Sequence, residues 1–398
     1  MKELNVVLGD DTNKLVAQTF DGANVMKGRK AGVQSKIKET YKYAHYLHCY
    51  AHKLNLIMKN ASSVTRSSRI FFVNLCAIPV FFTPKSPARL RVLKKHIDVL
   101  IPRPVSTRWN FNVRTVMTVF ENLEPLKLCL TELQHDDSSS DLTVREATGL
   151  LLYLNTPTFI FWLNLFYKIM PHIEILYNVM QSRALTALAI HYNISQFKNK
   201  ILEIRNSPLC ENSSLALQAE SKEVCDNICM DIEERYSFSG HIIAAKLFNK
   251  NNIAEYKNGI PTQVMDEVVN AYPFLDRLKL TSEFLVFYGR EDLQKYKTMA
   301  ELLQFITTNG LIDALSEIFK LVNILLTIPM STAEAERCFS TLKRVKTLPR
   351  CTMLPDRLNG LSVLTVEKMF LQQNPHIKDE VTQLFISSKN RRMEFTYK

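Results

Sequence analysis

The pattern of apolar and polar positions near the start of the chain predicts two consecutive β-α units. Residues 15–20 have the character of a strand that ends at Asp21 and Gly22, and a helix is predicted over residues 31–37. A second strand is predicted over residues 44–48, and it runs directly into helical spacing from Cys49. Two such units in sequence indicate part of an α/β sheet.

Beyond this start the pattern is helical almost everywhere. Five prolines in residues 79–104 predict short helices with exposed basic side chains, and helical spacing returns over residues 110–132. A polar loop at residues 135–141 precedes residues 142–309, where nearly every segment has helical spacing and no repeat is evident. We therefore predict a mainly helical protein with a large all-α block.

One apolar stretch, residues 149–170, contains a single charge, Lys168, and approaches the length of a membrane span. Asn155, Thr156 and Pro157 interrupt it near the middle, and Asn164 adds a polar group to its second half. We favour a pair of buried helices over a span, and we expect no membrane partner.

Towards the carboxyl end, residues 311–327 predict an apolar helix, and Ser331 and Glu334 then have the spacing of a capping box. A new helix is predicted to start there. Glu336 lies at the edge of its apolar stripe, which consists of Ala335, Cys338, Phe339, Leu342 and Val345.

Composition fits a folded protein with a polyanionic partner but does not establish that partner. The 398 residues are 46% hydrophobic, and the formal net charge is +11. Between Lys85 and Arg114 eight Lys or Arg residues stand against one acid, Asp98. Eight scattered cysteines without a C-x-x-C pair, and a start that lacks a signal peptide, indicate reduced thiols and a cytosolic or nuclear protein.

Four segments resemble, in order and spacing, the core of the hAT superfamily transposases. They are residues 21–26 (DGANVM), 49–55 (CYAHKLN), 106–110 (STRWN) and 331–340 (STAEAERCFS). The first two most resemble the transposase-like portions of the zinc-finger MYM-type protein 1 group. The resemblance covers most of the chain.

The resemblance implies a partial ribonuclease H-like core interrupted by a large all-α insertion domain. Three carboxylates of such a core hold Mg²⁺ or Mn²⁺ for strand cleavage and transfer. Asp21 matches the second carboxylate and Glu336 the third. Without the resemblance, Asp21 is better explained as an Asp-Gly turn and Glu336 as a solvated helix residue.

The resemblance also marks candidate DNA-binding residues. Arg108 and Trp109 combine a guanidinium that holds phosphate with an indole that stacks on a base, although a structural Trp beside a paired Arg is an equal alternative. His52 is placed beside the active centre, where it could touch DNA or a carboxylate, and Lys94 and Lys95 add positive charge. Cys49 and His52 form only half of a zinc site, so a core role is favoured for them.

Residues 338–370 look like the hAT C-terminal dimerisation region. Apolar spacing of three and four leaves a helix face in need of a partner, either the insertion domain or a second subunit, and the family points to the second subunit. The candidate dimerisation residues are Phe339, Leu342, Leu358, Leu361 and Leu364.

Asp21 lies close to the start of the sequence, so the first catalytic strand and the N-terminal zinc finger of the family are expected to be absent. We predict a truncated core in residues 1–134, an all-α insertion in 142–309, a core helix with the dimerisation region in 311–375, and a basic tail in 376–398. The expected protein is nuclear, homodimeric and non-catalytic, has no cofactor as it stands and binds DNA or chromatin partners. The alternatives are a Mg²⁺- or Mn²⁺-dependent transposase with an incomplete gene model, and a non-functional remnant.

Overall fold

The computed structural model describes residue 8 and residues 11–83, 86–103, 110–182, 185–207, 213–236, 240–347, 350 and 352–388. The chain divides into two compact units, Met1–Thr332 and Ala333–Lys398. The prediction of a mainly helical protein with a small β component is confirmed. The limits of the four predicted domains and the ribonuclease H-like core stay predictions.

Two parallel strands form the sheet of the first unit within its described residues. Strand β1 (Ala17–Phe20) pairs with β2 (His45–His48), and the connection carries helices α1 (Asn24–Lys27) and α2 (Val33–Thr40). The buried side chain of Gln18 holds this connection to the sheet, because its Nε2 donates hydrogen bonds to backbone carbonyls of α2 and of the loop before β2, at 3.1 and 2.8 Å. Both strands end at the same edge of the sheet.

Helix α3 (Tyr50–Ala61) leaves β2 at that edge, and α4 (Arg66–Phe81) and α5 (Pro87–His96) follow. Thr65 caps α4 by accepting a hydrogen bond from the Ser68 amide at 3.2 Å. Pro79 lies in the last turn of α4, where it cannot donate the helical hydrogen bond to the Leu75 carbonyl, and the helix ends two residues later. The proline-rich segment thus contains one helix of ten residues, as its prolines predicted.

The rest of the first unit is a bundle of helices. Asn122 separates α6 from α7, where the sequence predicted a single helical stretch, and a 3₁₀ segment covers Gly240–Phe248. The helices are α6 (Asn110–Glu121), α7 (Leu123–Gln134), α8 (Asp141–Leu154), α9 (Pro157–Met180), α10 (Ala187–Asn206), α11 (Leu215–Arg235), α12 (Ile253–Tyr256), α13 (Thr262–Ala271), α14 (Arg277–Gly289), α15 (Met299–Thr308) and α16 (Ser316–Thr327).

Helix α9 lies at the centre of this bundle. It packs against α3, α4, α6, α8, α10 and α11, and all of its Phe, Tyr and Trp side chains except Tyr167 are almost fully buried. Trp162 and Phe166 stack at a ring distance of 5.9 Å, and the indole Nε1 of Trp162 donates a hydrogen bond to the Ser67 hydroxyl at 3.0 Å. The apolar sequence of α9 is therefore accounted for by core packing.

Among the described residues, one helix, α9, is long enough and apolar enough to cross a membrane, judged by length and composition. Of its most apolar window, 56% is buried inside the structure, and a core helix of a soluble protein passes the same test. As predicted, the apolar stretch consists of two helices, since Asn155 follows α8 and Thr156 caps α9.

The second unit consists of helices α17 (Ala333–Val345), α18 (Pro355–Val366), α19 (Lys368–Gln373) and α20 (His376–Ser387). Helix α17 starts next to the predicted capping box. Of the described residues of the second unit, only Thr341 and Val345 are buried. This unit therefore has almost no core of its own.

Candidate functional site

Asp21 directly follows β1 and forms a turn. Its Oδ1 accepts a hydrogen bond from the Ala23 amide at 3.1 Å, and its carbonyl accepts one from the Tyr46 hydroxyl at 3.2 Å. The side chain is exposed. This is the geometry of an Asp-Gly turn, and it also leaves the carboxylate accessible at the strand end, where the sequence resemblance predicted a metal ligand.

Gly22 faces two imidazole rings. A Cβ atom at this position would lie 3.0 Å from Nε2 of His48 and 3.3 Å from Nε2 of His52, closer than most side chains tolerate. The two ring centroids are 5.1 Å apart. We call the surface formed by Gly22, His48 and His52 the Gly22 recess; the two rings can approach residue 22 this closely because it has no side chain.

His48 is the more perturbed of the two histidines. Its Nε2 is buried and has no hydrogen-bond partner among the described residues. Burial lowers the pKa of His48 to about 4, and the positive charges of His52, Lys53, Lys27 and Arg235 act in the same direction. His48 is therefore neutral at pH 7, in surroundings of positive charge.

Cys49 connects the end of the sheet with residues far along the chain. Its amide donates to the Phe20 carbonyl at 2.9 Å, and its buried Sγ accepts hydrogen bonds from the amide and the hydroxyl of Thr332 at 3.3 and 3.2 Å. The Tyr50 amide also donates to the Met330 carbonyl at 3.1 Å. Cys49 thus has a structural role, and in the described part of the chain no three His, Cys, Asp or Glu side chains could together hold a metal ion.

Lys53 lies one turn further along α3 and is largely buried. Its Nζ donates to the Arg235 carbonyl at 2.6 Å and lies 4.6 Å from the centre of the Tyr50 ring. Burial lowers the pKa of Lys53 to about 8, and the charge of Arg235 adds to that effect. Lys53 therefore ties α3 to the end of α11 and keeps a positive charge near the recess at neutral pH.

The predicted basic segment is partly neutralised by acids. Lys95 and His96 each contact the carboxylate of Glu132 at 2.7 Å, and Arg89 pairs with Glu146 at 2.8 Å. Lys94 is exposed. The other two DNA-binding candidates, Arg108 and Trp109, lie outside the described residues.

Glu336 is exposed in the first turn of α17. It belongs to the second unit, whereas Asp21 and His52 belong to the first. An acidic side chain in the first turn stabilises a helix through its dipole.

The candidate dimerisation residues carry much of the exposed apolar surface of the second unit. Phe339 is 70% exposed and Leu364 is 54% exposed, while Leu342, Leu358 and Leu361 are half-buried. More than half of the surface of several other large apolar side chains of this unit is also exposed: Leu354, Val363, Met369, Phe370, Val381 and Leu384. Such a concentration marks a surface that is normally covered.

Sequence reasoning missed His48 and Lys53. His48 immediately precedes the Cys49 motif and lies four residues before His52, which was the available signal. No pattern in the sequence shows that both rings face Gly22, because that contact depends on how β1 and β2 pair. The role of Lys53 depends likewise on Arg235, which is 182 residues away.

Residues 286–370 match the family model described as the hAT family C-terminal dimerisation region. The match begins in α14 and ends with Phe370 in α19, so it includes every candidate dimerisation residue named above. It supports an origin in the hAT superfamily and points to a transposase-derived protein that dimerises.

Proposed function

We propose that this chain is a transposase-derived nuclear protein that forms a homodimer through residues 333–370 and binds DNA or chromatin partners without cutting DNA. The observation that carries the proposal is the exposed apolar surface of the second unit, within the part of the chain that matches a dimerisation region.

A second copy of the chain is the occupant that best fits this surface. Dimer interfaces are more apolar than the rest of a protein surface, and large exposed apolar patches are uncommon on monomers. Covering Phe339, Leu364 and their neighbours would supply the second unit with the core that it lacks. The burial of a leucine side chain contributes about 1.5–3 kcal/mol.

Replacing Leu364 with Glu is expected to shift the dimer towards monomer, because an ionised carboxylate in the interface loses its hydration. Sedimentation velocity over a range of protein concentrations measures the shift. Leu152→Glu is the matched control, since Leu152 is 68% exposed on α8 and lies outside the matched region. Equal sedimentation of both variants with the native chain would contradict the proposed interface.

The DNA-binding part of the proposal is supported by the net charge of +11 and by the positive surroundings of the Gly22 recess. A fluorescent hairpin DNA, titrated at several salt concentrations, tests it directly. Binding that falls with salt and is weakened by Trp109→Ala is the expected result. If the dimer does not bind DNA even at low salt, only the self-association part of the proposal is retained.

A Mg²⁺- or Mn²⁺-dependent transposase is the second candidate, and the position of Asp21 at the end of β1 favours it. Carboxylate oxygens suit these hard ions, but one oxygen of Asp21 already accepts the Ala23 amide, and the described residues offer no cluster of three possible ligands. Metal-dependent nicking of hairpin DNA that disappears in Asp21→Asn would establish this candidate over the first.

A further inference from the structure

The loop between α1 and α2, residues 28–32, is held in place by a backbone hydrogen bond and by side chains of the first turn of α2. The Gly32 amide donates to the Gly28 carbonyl at 3.1 Å, and the Ser35 hydroxyl lies 2.8 Å from the carbonyl oxygen of Gly28 and 2.7 Å from that of Arg29. Gln34 Nε2 donates to the Lys27 carbonyl at 2.6 Å. Three successive carbonyls are therefore bound by the first turn of α2.

The two glycines make this closure possible. A Cβ on Gly32 would lie 2.4 Å from the Gly28 carbonyl oxygen, and one on Gly28 would lie 2.9 Å from the Asn24 carbonyl oxygen. Both contacts are with backbone, which cannot move aside as a flexible side chain can. The two glycines thus let the loop backbone close tightly against the end of α1, and the end of α1 and the loop together carry three basic side chains.

Those side chains are cationic and exposed. Lys27, Arg29 and Lys30 all face solvent, and none of them forms an ion pair with any described residue. They differ in this respect from Lys95 and Arg89, whose charges are shared with glutamates. Lys27 at the end of α1 and Arg29 and Lys30 in the loop, none of them paired with a described residue, thus form a cationic site for a polyanion.

This loop adjoins the Gly22 recess. Helix α1 begins two residues after Gly22 and ends at Lys27, and the charge of Lys27 is among those that lower the pKa of His48. An anionic chain bound at the loop would therefore pass beside the imidazole rings of His48 and His52. Imidazole rings beside basic side chains suit a nucleic-acid strand, because rings can contact bases or sugars while the basic groups contact phosphates.

We propose that Lys27, Arg29 and Lys30 hold successive phosphate groups of a DNA strand that runs along the Gly22 recess. This inference rests on the proposed DNA binding and adds its location. It assigns the electrostatic contact to the loop before α2, whereas the sequence pointed to the segment around Lys94 and Lys95. The contact is to backbone phosphates, so it positions the strand without selecting a base sequence.

The test compares two variants of equal net charge. The loop variant carries Lys27→Gln, Arg29→Gln and Lys30→Gln, and the control carries Lys222→Gln, Lys257→Gln and Lys297→Gln, three exposed lysines elsewhere in the first unit. Fluorescence anisotropy of a labelled hairpin DNA is measured with the full chain at four or more salt concentrations. Circular dichroism and the unfolding midpoint confirm that both variants fold.

The loop variant is expected to bind roughly tenfold more weakly at moderate salt, and the slope of log K against log salt is expected to fall by about 3. The control keeps the slope of the native chain. A variant with Lys27→Arg, Arg29→Lys and Lys30→Arg retains binding, because phosphate contact needs charge at these positions.

Three outcomes overturn the inference. Equal binding by loop variant and control shows that the DNA contact lies elsewhere, and the proposed DNA-binding function survives. A native chain that fails to bind hairpin DNA at any salt defeats the proposed function itself. Binding to phosphatidylserine vesicles that is as strong as DNA binding and equally sensitive to the loop variant replaces the DNA strand with a membrane surface.

Discussion

At the residue scale, the geometry of the candidate site depends on the absence of a side chain at Gly22. The rings of His48 and His52 approach residue 22 closely because it has no Cβ, and the buried Nε2 of His48 has no hydrogen-bond partner among the described residues. A buried imidazole without a partner is stable only when it is neutral. His48 therefore makes the fold sensitive to acid.

The free energy of unfolding is expected to fall by about 1–2 kcal/mol as the pH drops from 6.5 to 4, a figure reduced because His48 is only half-buried. The unfolded chain takes up a proton on His48 below its ordinary pKa of 6.5, whereas the folded chain takes it up only near 4. The contribution is thus complete above pH 6.5 and is lost below it. Urea unfolding at a series of pH values measures this slope.

His48→Gln should flatten that part of the pH profile, and His135→Gln, which changes an exposed histidine, should leave it unchanged. His45, His172 and His191, whose pKa values burial also lowers, and the carboxylates contribute to the remaining slope. A His48→Gln profile that follows the native curve would show that the neutral state of His48 is not tied to folding.

The sequence could predict residues whose role is local. The turn at Asp21 and the exposure of Glu336 in the first turn of α17 both follow from neighbours within four positions. The convergence of His48 and His52 on Gly22 could not be predicted, since it requires the register of β1 against β2. The ion pairs that neutralise Lys95 and Arg89 involve partners 37 and 57 residues away in sequence and were missed for the same reason.

At the element scale, a buried carboxylate joins α14 to α16. Glu283 is 5% exposed, and its Oε2 accepts the amides of Glu317 and Ile318 at 2.9 and 2.8 Å. It therefore satisfies the free amides at the start of α16 from a different helix. Glu317, itself buried, accepts the Asp276 amide at 3.1 Å and pairs with Lys320 at 2.6 Å.

Glu283→Ala is expected to lower the free energy of unfolding by about 2–4 kcal/mol, because two buried amides lose their acceptor and the helix dipole loses its counter-charge. Glu283→Gln keeps one acceptor and should cost less. Thermal and urea unfolding of both variants provide the measurement. Glu291→Ala, at an exposed position, serves as control and should change stability by no more than about 0.5 kcal/mol.

The periodicity of apolar residues predicted where helices occur, but it did not predict where each helix begins and ends. Residues 110–132 have uniform helical spacing, so the break at Asn122 between α6 and α7 is invisible to a periodic pattern. The separation of α8 from α9 was predictable, since Asn155, Thr156 and Pro157 end one helix and cap the next.

At the scale of the whole molecule, the two units differ in how they are stabilised. The first unit contains nearly all the buried apolar residues that the structure describes, centred on α9, whereas the second exposes half of its large apolar side chains and buries almost none. Composition and periodicity predicted a helical protein, and the resemblance predicted a dimerisation segment. The limit between the units after Thr332 had no signal in composition.

Truncation after Met353 is expected to give a chain that sediments as a monomer and still unfolds cooperatively, because the core of the first unit is retained. Light scattering gives the mass and circular dichroism follows the unfolding. A truncated chain that remains a dimer would move self-association into the first unit, and one that fails to fold would show that the first unit depends on the second.

The anchoring of Met330 and Thr332 to the first turn of α3 has a mechanical consequence. The backbone that leads into the second unit is fastened by hydrogen bonds to Cys49 and Tyr50, in the same turn that presents His52 and Lys53. A force applied by a bound partner to the residues after 332 would act first on these hydrogen bonds of Met330 and Thr332.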